Sequence, residues 1–370
     1  MKNKILYILP SKEIGGTERM VIELASKINK FNFDPVVMTL QGTGSFHRIL
    51  NEKNIKNYSL NIKENPIVAM MKIIFIFLKE KPSLMHSFLF AGNIFARFLK
   101  FFLRIPLICS QRSTDDWRKP FHWKIDKLTH MFCCLIISNS NAGKKALVEK
   151  AGIPPGKIQV IPNGIDLNCE KEKIEKAHIV PHKDIVVGSV GNLRKAKGYE
   201  VLIDAASIVI KKRNDIRFVI VGKGPCEQSI KKRIKENHLE QFITLSGFQE
   251  NVYNYMVNFD MVVIPSLWEG FPVIALEAMA CGKPVIATKT GDLPEIVLHN
   301  ITGLLVDPGR KDQLANAIVF MAENSEIRTQ MGKNALERVK IFSMDRMVEQ
   351  YCNVYSSLLN ETHQQLKTSY

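Results

Sequence analysis

The sequence predicts an α/β fold of two doubly wound parallel-sheet domains. Three observations carry this. Short apolar runs of strand type alternate with helical patterns. That alternation runs through the chain twice. The 370 residues are also long for one domain and comfortable for two.

The first strand is expected at residues 5–9, ILYIL. The basic start before it lacks a small-residue cleavage site and the run enters a Gly loop, so it reads as a strand and not a secretory leader. A helix follows over 17–29, with Met20, Val21, Leu24, Ala25 and Ile28 on one face. Further strand-type runs stand at 35–40, 84–87, 107–110 and 135–138. The apolar stretch 67–78 is too short to span a membrane and carries Lys72, so it reads as a core helix. The second half repeats the scheme with strands at 185–190, 217–221, 242–246, 261–264 and 285–287.

The boundary is placed in the polar, charged stretch 168–183, which contains Pro181. The domains are therefore expected at 1–167 and 184–343. Residues 344–360 form an amphipathic pattern, with Met344, Met347, Val348, Tyr351, Tyr355, Leu358 and Leu359 on one face. This helix is expected to pack back toward the first domain, with a polar, mobile tail over 361–370. Ligands in such folds bind beyond the carboxyl ends of the strands, so the natural site is a cleft between the domains.

Composition narrows the class. With 46% apolar residues the chain reads as soluble and well cored. The seven cysteines, Cys109, Cys133, Cys134, Cys169, Cys226, Cys281 and Cys352, form no C-x-x-C pair. Reduced thiols in a cytoplasmic protein fit best, and a zinc site does not. The net charge of +15 is lopsided: residues 1–165 hold 25 Lys and Arg against 11 Asp and Glu, and the remainder holds 26 against 25. The basic half suits phospholipid headgroups, a lipid-linked phosphate or nucleic acid, or is a solvated surface.

Several clusters carry candidate chemistry. In SKEIGGTER, Gly15 and Gly16 let the backbone approach a ligand, and Thr17 is placed to cap the helix. Many strand–Gly–helix turns are only turns. His86 ends the run 84–87 and suits a reacting hydroxyl, although a lone His is more often structural. Ser138, Asn139 and Ser140 follow another strand end, and IPNGID brings Asn163, Gly164 and Asp166 to the domain boundary. In 100–127 the aromatics Trp117, Phe121 and Trp123 interleave with Arg118, Lys119 and Lys124. That mixture suits a bilayer interface, nucleic-acid stacking or a plain basic helix.

GNLRKAKG, residues 191–198, sets Arg194, Lys195 and Lys197 at a strand end, where cations can grip phosphate. VGKGP, residues 221–225, resembles a dinucleotide fingerprint but has Glu227 in place of the third glycine, which disfavours a dehydrogenase. The most informative stretch is 260–308. Two carboxylates, Glu269 and Glu277, flank a Gly-Phe-Pro turn that leads into a helix start. Such a start offers free N–H groups to an anion, and the carboxylates suit hydroxyl-rich ligands.

At EGFPVIALE, CGKPVIAT, GDLPEIV, GLLVDP, GNLRKAKG and IPNGID the chain resembles the group 1 (family four) retaining, nucleotide-sugar-dependent glycosyltransferases of GT-B fold. The resemblance covers nearly the whole chain and is strongest over 185–308. It implies two Rossmann-like domains, the second binding the nucleotide-sugar and the first the acceptor. By resemblance, Arg194 and Lys197 hold the donor diphosphate, Glu269 meets the sugar hydroxyls and Glu277 the ribose. Asn192 and the backbone of Gly270, Phe271, Pro272 and Val273 line the donor site. Gly247 and Phe248 lie beside the base, Gly15 and Gly16 line the acceptor side, and His86 is the catalytic candidate of the first domain.

Two positions depart from the family pattern. Asn192 stands where relatives often carry Arg, and Phe88 stands where many show a second His. The implied activity is hexosyl transfer from a UDP-sugar to a saccharide or lipid-linked saccharide in capsule or lipopolysaccharide assembly. It is expected to be independent of metal or other cofactors, on the inner face of an anionic membrane, with no nucleic-acid partner. The rival readings are an epimerase-like GT-B enzyme and a non-catalytic binder of sugar nucleotides or nucleic acid.

Overall fold

The computed structural model describes residues 2–112, 117–167 and 184–368. The expected linker 168–183, with Cys169, lies outside the described residues. The chain divides into two compact units, Met1–Asn163 with Met344–Tyr370, and Gly164–Ser343.

Unit 1 runs β1 (Asn3–Leu9), α1 (Gly16–Lys27), β2 (Phe33–Thr39), α2 (Ser45–Glu52), β3 (Lys56–Ser59), α3 (Pro66–Glu80), β4 (Leu84–Phe88), α4 (Leu89–Phe102), β5 (Leu107–Gln111), α5 (Pro120–Thr129), β6 (Leu135–Ser138), α6 (Asn141–Ala151) and β7 (Ile158–Val160). Among the described residues its sheet has seven strands, all parallel, in the order β3-β2-β1-β4-β5-β6-β7. Alternate residues of β1 serve opposite faces: Ile5, Tyr7 and Leu9 join one core, Leu6 and Ile8 the other.

Unit 2 runs β8 (Ile185–Val190), α7 (Tyr199–Lys212), β9 (Ile216–Val221), α8 (Glu227–Glu236), β10 (Ile243–Leu245), α9 (Tyr253–Met256), β11 (Met261–Ile264), α10 (Val273–Ala280), β12 (Val285–Thr288), α11 (Leu293–Ile296), β13 (Gly303–Val306), α12 (Lys311–Glu323) and α13 (Ser325–Val339). Its parallel sheet is ordered β10-β9-β8-β11-β12-β13 among the described residues. The strand order reverses between β1 and β4 in unit 1 and between β8 and β11 in unit 2. Both units are thus doubly wound α/β sheets.

The last helix, α14 (Met344–Thr368), belongs to unit 1. Met347, Val348, Tyr351, Cys352, Tyr355 and Leu359 are buried in the unit 1 core. The helix continues past the expected end at 360, because no Gly or Pro follows Asn360 to stop it. The unit boundary also falls earlier than 167. Ile165 donates its N–H to the Phe342 carbonyl at 3.0 Å and is buried in a unit 2 core.

His86 differs most from expectation. It lies inside β4, not at its end, and is 0% exposed. Its Nδ1 sits 2.7 Å from the Tyr355 hydroxyl, and the Ser110 hydroxyl lies 2.8 Å from Nε2. Tyr355 in turn donates toward Tyr7 at 3.4 Å. Both ring nitrogens are thus engaged by buried hydroxyls. Burial, then the Arg112 charge, holds the His86 pKa well below the usual imidazole range. His86 is therefore a core residue whose ring α14 covers, and it presents no face to a ligand.

Two other expectations change. The stretch 67–78 lies within α3 and is not a core helix: Ile67, Met70, Met71, Ile74, Phe75 and Leu78 are all more than half exposed. Its inward anchors are Ala69, Ile76 and Glu80. The buried Glu80 carboxylate meets Lys4 and Lys56, each at 2.9 Å, and the Tyr58 hydroxyl at 2.5 Å. Burial opposes its charge, but these three donors prevail and bring its pKa down to about 2. In the aromatic–basic stretch, Trp123 and Arg118 are buried. Arg118 stacks on Phe90 and Trp123 and shares Asp126 with Arg97. Trp117 and Phe121 stay exposed.

Because His86 is neutral when folded and protonates near pH 6.5 when unfolded, its contribution is complete above that pH and declines as the pH falls below it. Urea unfolding of unit 1 should lose up to about 1.4 kcal/mol per pH unit per such proton on acidification. His47 and His130 have lowered pKa values too. His86→Gln should therefore flatten the slope without abolishing it; an unchanged slope contradicts the assignment.

Candidate functional site

The site in unit 2 is built by loops that leave the carboxyl ends of β8, β9 and β11. After β8, residues 191–198 turn through a short 3-10 segment, Lys195–Lys197, before α7. Gly198 has φ +66°, and a Cβ there would lie 2.0 Å from the Pro265 carbonyl oxygen. Only glycine lets this loop press on the one after β11. Leu267 closes the junction by donating to the Ala196 carbonyl at 2.7 Å.

That junction brings Lys197 and Glu269 together. The Lys197 ammonium pairs directly with Glu269 Oε1, and the Ser266 hydroxyl donates to the same oxygen at 3.0 Å. The side chains are 27% and 12% exposed, so the pair is partly desolvated but reachable. Beneath it lies Tyr199, whose hydroxyl pKa is raised by burial and by the Glu269 charge, against a hydrogen bond with Ser189. A cation and a carboxylate fixed side by side suit a ligand with an anionic group next to hydroxyls.

Beyond Glu269 the chain passes through Gly270 and the buried Phe271 to α10. Pro272 caps this helix from outside, and Val273 is its first residue. Phe271 packs against Phe342. The GDLPE loop braces the turn, with the Asp292 backbone N–H donating to the Gly270 carbonyl at 2.9 Å. Glu277 is half-buried on α10.

A second recess of about 230 Å³ is lined by Gly191, Asn192, Gly222, Lys223, Phe248 and Gln249, among others. Phe248 is 63% exposed beside Gly247, offering a flat apolar face. The loop after β9, VGKGP, builds one wall. Gly222 has φ +147°, donates to the Gly247 carbonyl at 2.7 Å, and would place a Cβ 1.9 Å from the Gly191 oxygen. Read by sequence this loop is a failed fingerprint. In the structure it brackets the basic loop and adds Lys223. Its position directly after the strand beside β8 was the signal available. Ser266 carried no such signal.

Not every expected residue converges. Arg194 is exposed and borders a different recess, with Glu200, Cys226 and Ile230, so only Lys197 of the two expected cations meets Glu269. Gly15 and Gly16 lie in unit 1, where α1 begins at Gly16. Thr17 is not the cap. The Glu18 carboxylate accepts from the Gly15 N–H at 2.9 Å and from the Ser11 hydroxyl, so this helix start already holds an anion. Among the described residues no group of three or more His, Cys, Asp and Glu is arranged to hold a metal ion.

Gly198→Ala and Gly222→Ala should each cost unit 2 about 1–3 kcal/mol from backbone strain alone, with the collisions added. Gly16→Ala, where a Cβ meets nothing within 4 Å, should be close to neutral. Urea midpoints of the three variants check this; equal losses contradict the loop-junction account.

Comparison with known proteins gives a consistent result. The family described as "Glycosyltransferase Family 4" matches residues 14–168, and "Glycosyl transferases group 1" matches residues 170–338. An N-acetylgalactosamine-N,N'-diacetylbacillosaminyl-diphospho-undecaprenol 4-alpha-N-acetylgalactosaminyltransferase of Campylobacter jejuni is 29% identical over 75% of this chain and 80% of its own length. An N-acetyl-alpha-D-glucosaminyl L-malate synthase of Bacillus anthracis is 28% identical over 56% of each chain, so the match spans little more than half of that relative. The Anabaena HepE structure in complex with UDP superposes with a TM-score of 0.84 at 24% identity, covering 96% of this chain and all of the other. The chain belongs to the group 1, family 4 glycosyltransferases and has their GT-B fold.

Proposed function

We propose that this chain moves a sugar from a UDP-sugar to a saccharide or lipid-linked saccharide, with retention of anomeric configuration, in cell-surface polysaccharide assembly. The observation that carries the reading is the Lys197–Glu269 pair, set at the strand-order reversal and followed by the start of α10. In this reading Lys197 turns to the diphosphate, with Arg194 as a second cation from its exposed flank. Glu269 accepts from the sugar hydroxyls and Glu277 from the ribose. The first backbone N–H groups around Val273 face the phosphates. Phe248 stacks on the base above the recess shared with Asn192 and Lys223.

The chemistry asks for little else. Breaking the sugar–phosphate bond builds positive charge at the anomeric carbon and negative charge on the departing diphosphate, which fixed cations and helix N–H groups stabilise. The acceptor oxygen attacks on the face the diphosphate leaves, and its proton passes to a diphosphate oxygen. No protein nucleophile is needed, so the two glutamates are not a hydrolase pair. The reading assigns the diphosphate to protein cations and not to a bound metal. His86 takes no part.

Relatives lend support. The Campylobacter protein's name specifies a diphospho-undecaprenol acceptor, and HepE has also been solved with UDP-glucose, with a TM-score of 0.79 at 25% identity. The basic first half suits a peripheral place on an anionic inner membrane face.

A thermal-shift screen should show stabilisation by UDP-sugars, since a ligand of the native state raises the melting temperature. Lys197→Ala should lower the transfer rate by roughly 10²–10³. Glu277→Ala should weaken donor binding about tenfold, the loss of one charged hydrogen bond. Unchanged kinetics in both variants would reject the site.

A further inference from the structure

The described helices include none long and apolar enough to cross a membrane. Yet α3 turns an almost wholly apolar face outward. Ile67, Met71 and Leu78 are 72%, 65% and 70% exposed. On the neighbouring α4, Phe98, Phe101 and Phe102 are 61%, 71% and 66% exposed. Between the two helices runs an apolar groove of about 520 Å³, floored by Ile73, Phe77, Phe95 and Leu99. A folded chain rarely leaves so continuous an apolar patch in water without a partner for it.

Charge says which partner. Residues 61–104 hold seven Lys and Arg against two Glu. Of these, Arg97 is consumed by Asp126 inside the unit, and Glu80 is buried against Lys4 and Lys56. What remains outside is Lys63, Lys72, Lys79, Lys81 and Arg104, with Lys100 half-buried, against Glu64 alone. Lys72 stands among the exposed apolar residues, and Lys79 lies 5.1 Å from the centroid of the Phe75 ring. A second copy of this face would bring like charges together across the seam. An anionic lipid leaflet neutralises them while its acyl chains cover the apolar residues.

We infer that α3 and the end of α4 form a monotopic membrane-binding face. In it Met71, Ile74, Phe75, Leu78, Phe101 and Phe102 enter the acyl boundary of an anionic phospholipid leaflet. The groove admits one hydrocarbon chain, and the surrounding lysines hold headgroup phosphates. The Glu80 cluster fixes the inner end of α3 to β1 and β3, so the outer face is presented by a rigid element. This deepens the peripheral-membrane part of the proposed function and moves it from the aromatic–basic run 117–124, where Trp123 and Arg118 are buried, to α3 and the end of α4.

The test is co-sedimentation of the full chain with phosphatidylcholine vesicles and with phosphatidylglycerol-rich vesicles. The chain should bind the anionic vesicles, and Met71→Ser with Ile74→Ser should weaken partition at least about tenfold. Lys72→Glu with Lys79→Glu should weaken it mainly at low salt. Because these side chains are exposed, the melting temperature should not move. Phe75→Trp should add emission that brominated lipids quench.

Equal binding to neutral and anionic vesicles overturns the proposal, as does unaltered binding by the double serine variant. So does a concentration-dependent dimer, in the absence of vesicles, that the serine variant abolishes. A UDP-sugar thermal shift on the same samples separates the two readings. Vesicle binding without a shift supports this face and rejects the donor site. A shift without vesicle binding rejects this face alone.

Discussion

The chemistry of unit 2 depends on the reversal of strand order between β8 and β11. In a wholly parallel sheet every strand must be followed by a crossover, and right-handed crossovers send the chain to opposite faces on either side of a reversal. The loops after β8 and β11 therefore leave neighbouring strand ends at the reversal and meet in front of the sheet. Lys197 and Glu269 sit on those two loops, 72 residues apart in sequence. Their pairing is a consequence of topology. Gly198 sets how closely these loops approach, and Gly222 does the same for the loop after β9 against the one after β8.

Much of this was legible in the sequence, for physical reasons that can be named. Strands of a parallel sheet are covered on both faces, so they read as continuous apolar runs, and β1, β5, β8 and β11 were placed within a residue or two. The Glu269 turn was legible because Gly270 and Pro272 mark a strand–turn–helix junction with few alternatives. Periodicity, however, reports which residues share a helical face and not whether that face has a partner. The run 67–78 is nearly all apolar, so its pattern could not separate a buried helix from one bared on the outside. His86 failed differently. A strand-end position was inferred from local residues, but burial of the ring comes from α14, more than 250 residues later.

Arg194 shows the limit of motif spacing. Three cations clustered after a strand end imply a shared target, yet Lys197 and Arg194 reach different places. Lys197 goes to Glu269, and Arg194 looks toward the α7–α8 side. Conversely, the VGKGP loop lacks the third glycine of a dinucleotide fingerprint. Its real constraint is steric: Gly222 must pass within touching distance of the Gly191 carbonyl, and Gly224 within touching distance of the Leu193 carbonyl.

Unit 1 is discontinuous in sequence, and this orders its assembly during synthesis. The ribosome delivers residues 164–343, a unit with its own two cores, before it delivers Tyr351 and Tyr355. Until α14 emerges, the half that is made first stays unfinished, with the His86 ring and the strand face around it open to water. The half made second can fold while the first still waits for its final helix. Nascent chains should therefore engage holdase chaperones through the sheet of unit 1, and a ribosome stalled before α14 emerges would expose that sheet longest.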